Sequence, residues 1–253
     1  MNNDPANRRV LTFPDPAALA RAAAEELTQR LVNLAREGRP ISVALSGGST
    51  PKVLYALLSD EPAFRDRVPW ARTHFFFGDE RHVPPDHKDS NYRMAREAMF
   101  DKLDGVLPAE NIHRFRAELP DPAHAAAEYA ELLRGFFGGD QGRFDVILLG
   151  MGPEGHTASL FPGTTGLREM AGVASAFIEK VGQYRLTFTP PTLRRAALLM
   201  FLVGGQDKAG MIATVLEAPH AEPDRYPAQG ISAEDGETLW LLDEAAAAKL
   251  QGR

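Results

Sequence analysis

The chain of 253 residues contains no cysteine, so disulfide scaffolds, thiolate metal sites and cysteine nucleophiles are excluded together. No apolar run approaches the roughly 20 residues that a membrane span needs, and the opening MNNDPANRRVLTF has no apolar core of a secretion signal. A soluble cytoplasmic protein is therefore expected. An excess of positive charge is also missing: 28 Lys and Arg stand against 34 Asp and Glu, a formal balance of −6, which is not the footprint of a nucleic-acid binder. An acidic protein that binds an anion must concentrate cations locally, which makes the position of single Arg and Lys residues more informative than their number. A G-x-S-x-G elbow is absent, which removes the common serine-hydrolase arrangement.

What is present reads as strands alternating with helices. Asp15-Pro16 places a cap residue and a first-turn proline ahead of Leu19, Ala23, Leu27, Leu31 and Leu34 at helical spacing, and Gly38 closes that helix. The apolar segment ISVAL (Ile41–Leu45), the glycine loop SGGST and a helix from Pro51 form one strand, loop and helix unit. A strand over 74–77 leads into GDERHVPPDHKDSN, which is too rich in Pro, Asp and Gly to be regular. Ser90 or Asn91 then caps a helix through about Leu103. Asp121-Pro122 opens an alanine-rich helix that Gly138-Gly139 stops. Strands are expected over Val146–Leu149, Val173–Ile178, 185–189, 197–203 and 239–242, a helix from Gln206 to about Leu216, and helix again over the tract 245–248. The alternation predicts an α/β fold, a doubly wound and mainly parallel sheet with helices on both faces in the Rossmann-like manner. No linker and no fixed-period repeat interrupts it, so one domain over 1–253 is expected.

Three stretches carry candidate chemistry. SGGSTP puts Ser46, Gly47, Gly48, Ser49 and Thr50 between a strand and a helix N-terminus, where free backbone N–H groups and the helix dipole suit a phosphate. It lacks the Lys of a P-loop and the third Gly of a dinucleotide fingerprint, and a loop that merely caps its helix through Ser49 or Thr50 is the competing reading. GDERH, with Asp79, Arg81 and His82, is either solvated loop or, in this topology, on the same sheet edge as Ser46. His82 and His87 lack the regular spacing of a metal pair, and no metal is expected. The segment 144–163, FDVILLGMGPEGHTASLFPG, runs from a buried strand into a glycine turn that presents His156; a tight connection with an incidental histidine competes with a reactive group. Arg185 at a strand start and Lys208 in the first turn of a helix are candidate countercharges, since a cation at a helix start is disfavoured unless something negative is near. Ser159, three residues after His156, is expected to face back along a helix.

SGGSTPKVLYALL, FFFGDERHVPPDHKDSNYRMA, FDVILLGMGPEGHTASLFPG, YRLTFTPPTL, PAQGI and LWLLD, in this order across nearly the whole chain, resemble the 6-phosphogluconolactonase family. The wider superfamily includes glucosamine-6-phosphate deaminases, whose turn resembles GHIAFNEPG with a carboxylate directly before Pro-Gly. This chain has Phe161 in that place, and a phenyl ring transfers no proton. Two departures stand out: Glu154 where the lactonase turn usually has Asp, and Gly182-Gln183 where Lys and Pro often precede the arginine.

The resemblance implies hydrolysis of 6-phospho-D-glucono-1,5-lactone, without cofactor, metal or nucleic acid and with a small sugar phosphate as the partner molecule. It implies the phosphate on Ser46 to Thr50 with Arg185 and Lys208 as countercharge, and His156 as the base at the far end of the ring. Glu154 is expected to orient His156, Asp79 stands where the deaminases carry their base, and Arg81 or the glycine-turn N–H groups would meet the oxyanion. A helix starting after Gly155-His156 is expected to disfavour imidazolium. A deaminase and a catalytically silent sugar-phosphate sensor are the competing functions.

Overall fold

A computed structural model describes residues 7–140 and 142–251. In chain order the elements are β1 (Arg8–Phe13), α1 (Pro16–Ala35), β2 (Ile41–Leu45), α2 (Ser49–Asp60), the short α3 (Pro62–Arg65), β3 (Thr73–Phe77), β4 (Asp79–Arg81), α4 (Asn91–Ala98) and α5 (Pro122–Phe137). They continue as β5 (Val146–Leu149), β6 (Val173–Ile178), β7 (Gln183–Phe188), the short α6 (Pro190–Arg194), β8 (Leu198–Val203), α7 (Ala209–Glu217) and β9 (Glu237–Asp243).

Six strands form one sheet in the order β1-β9-β8-β5-β2-β3, and every pairing in it is parallel. β2, β5 and β8 are buried at every position, which is why they read as continuous apolar runs rather than alternating ones. Asp145 sets β5 against β2 at their N-terminal ends: its carboxylate accepts from Ser42 N at 2.8 Å and from both Nη atoms of Arg39 at 2.9 and 2.6 Å. α1 buries Leu19, Ala23, Leu27 and Leu31, and its start is capped by Asp15, whose Oδ1 accepts from Ala18 N at 2.8 Å. α5 is capped by Asp121 in the same way and ends on Gly138, whose φ of 72° is the left-handed stop expected for glycine.

Four differences from the sequence reading have physical causes. The opening segment, where no strand was expected, contributes β1 as an edge strand paired with β9; most of β1 is exposed, so no apolar period marks it, and positions 1–6 lie outside the described residues. β6 and β7 do not join the main sheet but form a separate antiparallel sheet with β4, in the order β4-β7-β6, so part of GDERH is strand rather than loop. α4 stops at Ala98 because Met99 leaves the helical region at φ −137°, and a 3-10 turn carries the chain to Lys102. The alanine tract 245–248 is hydrogen-bonded turn rather than helix: Asp243 Oδ1 accepts from Ala246 N at 2.7 Å and holds the chain in the turn, with Ala246 and Ala247 buried.

At the β3 edge His74 Nδ1 and His113 Nε2 approach to 3.0 Å, with the Phe76 ring stacked on His113 at a centroid distance of 4.4 Å. Burial, then the neighbouring His74 charge, pushes His113 down to about 4, and burial also lowers His74. Both imidazoles are thus neutral in the folded protein at a pH where the unfolded chain binds protons, so stability is present above the ordinary histidine value and is lost as pH falls from about 6.5 toward 4. The urea midpoint of the protein is expected to fall between pH 7 and pH 5, and the fall to be shallower in His113→Gln. An equal pH slope in the two proteins would assign the effect elsewhere.

Candidate active site

The strands β2, β3, β5 and β8 run the same way, so the segments after them meet at one edge of the sheet, where open α/β proteins bind ligands. Ser46 follows β2, Gly78 and Asp79 follow β3, Gly150 follows β5 and Gly204 follows β8. These segments enclose a cavity of about 190 Å³ lined by 46–51, Asp79, Arg81, Asn91, 150–152, His156, Ala158 and Lys208.

One wall is the loop ahead of α2. Gly48 is the N-cap residue at φ 116°, and no side chain caps the helix, so neither Ser49 nor Thr50 plays the capping part of the competing reading. No side-chain cap covers the N–H groups of the first turn, and that turn contains no acidic residue. The loop is held from behind by one phenol: Ser46 N donates to Tyr55 Oη at 3.0 Å and Tyr55 Oη donates to Ser46 O at 2.8 Å. Ser46 Oγ is buried without a hydrogen-bond partner. A Cβ at Gly47 would stand 2.1 Å from Asn91 Oδ1, so any side chain there would displace the Asn91 amide. Lys208, in the 3-10 turn that opens into α7, lines the same cavity and donates to Gly204 O at 3.0 Å.

The β4 strand sorts its side chains by alternation. Asp79 and Arg81 line the cavity. Glu80 points away and ties down α4: it accepts from Arg81 N at 2.8 Å, Asn91 N at 2.7 Å, Tyr92 N at 2.9 Å and Ser90 Oγ at 3.1 Å. Arg185 is not among the cavity-lining residues; it sits on β7 directly opposite Arg81, and both guanidinium groups keep a buried Nε without a hydrogen-bond partner. Burial, then the adjacent Arg81 charge, lowers the Arg185 pKa. His82 and His87 lie off the cavity, His82 Nε2 against Leu119 O at 2.8 Å and His87 Nδ1 accepting from Asp89 N at 3.2 Å.

The third wall is the histidine turn, and it is not followed by a helix. Gly152 N donates to His156 O at 3.0 Å, Gly155 N to Gly152 O at 3.0 Å and Thr157 Oγ1 to Gly150 O at 2.8 Å, which closes a compact loop on the end of β5. The His156 ring lies on Phe161 at a centroid distance of 4.0 Å and 20° between planes. Its Nδ1 is 3.3 Å from Glu154 Oε2 but off the line of a hydrogen bond, so the contact is one of charge rather than of direction. The other carboxylate oxygen accepts from Lys180 Nζ at 2.6 Å. Burial opposes ionisation of Glu154, yet the Lys180 hydrogen bond holds its pKa below the usual carboxylate value. Burial likewise lowers the His156 pKa, with Glu154 and Asp79 opposing, so the neutral imidazole expected from a helix dipole has desolvation as its cause instead. Ser159 is also placed differently from the expectation: it is buried, and its Oγ donates to Asp79 Oδ2 at 2.7 Å.

The cavity thus gathers Ser46, Gly47, Gly48, Ser49, Thr50, Asp79, Arg81, His156 and Lys208, while Glu154 and Arg185 stand behind its walls. Asn91 was legible only as a helix cap, although it also lines the cavity and donates from Nδ2 to Asp79 O at 2.9 Å. Its position beside the strand-end glycine loop depends on tertiary contact that no local pattern announces.

Fold and cleft together define an open parallel α/β protein with a ligand cavity at its strand ends. The chain belongs to the family described as glucosamine-6-phosphate isomerases/6-phosphogluconolactonase, whose family model matches residues 14–240. It is 41% identical to the 6-phosphogluconolactonase of Nostoc sp. over 96% of this chain and 98% of the relative. It is 43% identical to that of Synechocystis sp. over 89% and 91%. A solved 6-phosphogluconolactonase from Trypanosoma brucei superposes with a TM-score of 0.82 at 29% identity, covering 96% of this chain and 98% of that one.

Gly152 tests how closely this wall is fitted, because a Cβ there would lie 2.0 Å from His156 Cε1. Gly152→Ala is expected to displace the imidazole and lower kcat/KM for the reaction proposed below by about 100-fold, the scale of losing a positioned acid–base group. Retention of activity within a few-fold would show that the ring has room to move.

Proposed function

We propose that the protein hydrolyses 6-phospho-D-glucono-1,5-lactone to 6-phospho-D-gluconate by histidine-activated water, as a cytoplasmic enzyme of the oxidative pentose phosphate pathway. The observation that carries this reading is one cavity with an uncapped helix start and Lys208 in one part of its wall and a half-buried His156, whose pKa is lowered, in another. A substrate with a dianion at one end and an electrophilic carbonyl at the other matches that division.

The 6-phosphate docks on Ser46 to Thr50, where backbone N–H groups and the dipole end meet it. Lys208 adds countercharge from the cavity wall and Arg185 from the strand beside Arg81. His156 takes a proton from water as the oxygen attacks C1, and returns it to the ring oxygen as the C1–O bond breaks. The imidazolium formed in between faces Glu154 and Asp79, both of which favour the charged ring. Gly152 N–H and Gly155 N–H close the histidine turn, and Arg81, which lines the cavity, is the proposed donor for the developing oxyanion. A δ-lactone hydrolyses unaided, so the rate enhancement asked of these groups is small by enzyme standards.

Deamination is the less favoured chemistry, since the ring of Phe161 supports His156 where that reaction needs a carboxylate. Following lactone disappearance, ammonia release from glucosamine 6-phosphate and binding of 6-phosphogluconate separates the lactonase, the deaminase and a silent sensor. Wild-type protein is expected to accelerate lactone loss and His156→Ala to lose about 100-fold or more in kcat/KM. The acid limb of kcat/KM is expected below the ordinary histidine value of about 6.5, with activity falling as pH drops through the lowered His156 pKa. Most of the activity surviving in His156→Ala would remove that residue as the base.

A further inference from the structure

Asp79 is 8% exposed, and among the described residues its carboxylate is met by neutral donors alone: Ser159 Oγ to Oδ2 at 2.7 Å and Asn91 Nδ2 to Oδ1 at 3.2 Å. A buried carboxylate needs such donors, or it takes up a proton to shed its charge. Neutral donors differ from an ion pair in one respect that matters here: they satisfy the oxygens and leave the negative charge uncancelled. That charge is felt across the cavity, since Asp79 favours the charged forms of both His156 and Arg185.

Ser159 is fixed for this contact. It is 2% exposed, and its N donates to Thr187 Oγ1 at 3.2 Å, Thr187 being the residue directly opposite Asp79 in the β4–β7 ladder. The backbone between His156 and Ser159 accepts a φ of 47° at Ala158, a left-handed conformation that alanine rarely adopts. One turn therefore carries both His156 on the cavity wall and Ser159 on the carboxylate that faces it.

We propose that Ser159 is a positioning residue for the reaction: with Asn91 it holds Asp79 as an aimed, uncancelled anion, so that the imidazolium formed on His156 meets a negative field. The proposal rests on the hydrolytic reading above. It assigns Ser159 no contact with substrate; the residue acts through Asp79. Energy is spent on an anion whose benefit appears only when His156 becomes charged, which is where stabilisation accelerates a reaction.

The test is a double-mutant cycle in the full chain with Ser159→Ala, Asp79→Asn and both together. It is read by kcat and KM for the phospholactone and by NMR titration of the His156 ring in the free protein. Ser159→Ala is expected to lower kcat about 10-fold with KM within about 2-fold, and the double variant to match Asp79→Asn within about 2-fold. The His156 midpoint is expected to fall in Asp79→Asn, to fall part of the way in Ser159→Ala, and to fall no further in the double variant. Losses that multiply, or an unchanged kcat and midpoint in Ser159→Ala, would overturn the proposal. Wild-type protein without lactonase activity would sink the hydrolytic reading alone, and the His156 titrations would still decide on Ser159. If Ser159→Ala does not fold, Asn91→Ala takes its place in the same cycle with the same expectations.

Discussion

Burial on both faces of the parallel sheet is the constraint on which the rest depends. β2, β5 and β8 have no exposed position, so a polar side chain within them loses its water and must find a partner in the protein, as Ser42 does in Asp145. Chemistry is therefore confined to the strand ends. Parallel pairing brings four C-terminal ends to one edge, and the groups that follow them, Ser46, Asp79, Gly150 and Gly204, need no further device to meet. The opposite edge does the holding: Asp145 ties Arg39 and Ser42 at the strand starts and keeps β5 and β2 in step.

The second, antiparallel sheet serves the cavity from outside the main one. Its β4 strand delivers Asp79 and Arg81 inward and spends Glu80 on the start of α4, which in turn brings Asn91 over Gly47. Its β7 strand backs Arg81 with Arg185, and the turn between β6 and β7 supplies Lys180 to Glu154. An acidic chain thereby gathers cations at one place, two guanidinium groups side by side, one ammonium and an open helix start, with the Asp79 carboxylate among them. Burial and, after it, the adjacent Arg81 charge lower the Arg185 pKa, and an anion bound beside these groups would favour its charged form.

The six-stranded sheet was legible in the sequence because five of its strands are apolar runs bounded by glycine or proline, and α1 and α5 announce themselves by Asp-Pro caps. β1 was not, since an exposed edge strand has no buried face to impose a period. The candidate site was legible as a set of strand-end motifs, and the glycine loop and the histidine turn do share one cavity. What eluded local reading were relations between distant segments: Ser159 on Asp79 across 80 positions, Lys180 on Glu154 and the Phe161 ring beneath His156. The expected helix after His156 failed for a reason of the same kind. Gly152 and Gly155 spend their N–H groups within the turn, and left-handed φ values at Gly155 and Ala158 break any helical run.

Glu154 shows how these relations bear on mechanism. A carboxylate aligned on Nδ1 would bond the neutral ring and the cation alike, and so stabilise the resting enzyme together with the transition state. Here Oε2 stands off the hydrogen-bond line and Oε1 is occupied by Lys180, while Asp79 presents a second charge from the other strand end. Neither group does much for neutral imidazole, which burial already favours. In the proposed mechanism both act once the ring holds a proton, which would place the electrostatic gain on the deprotonation of water rather than on the ground state.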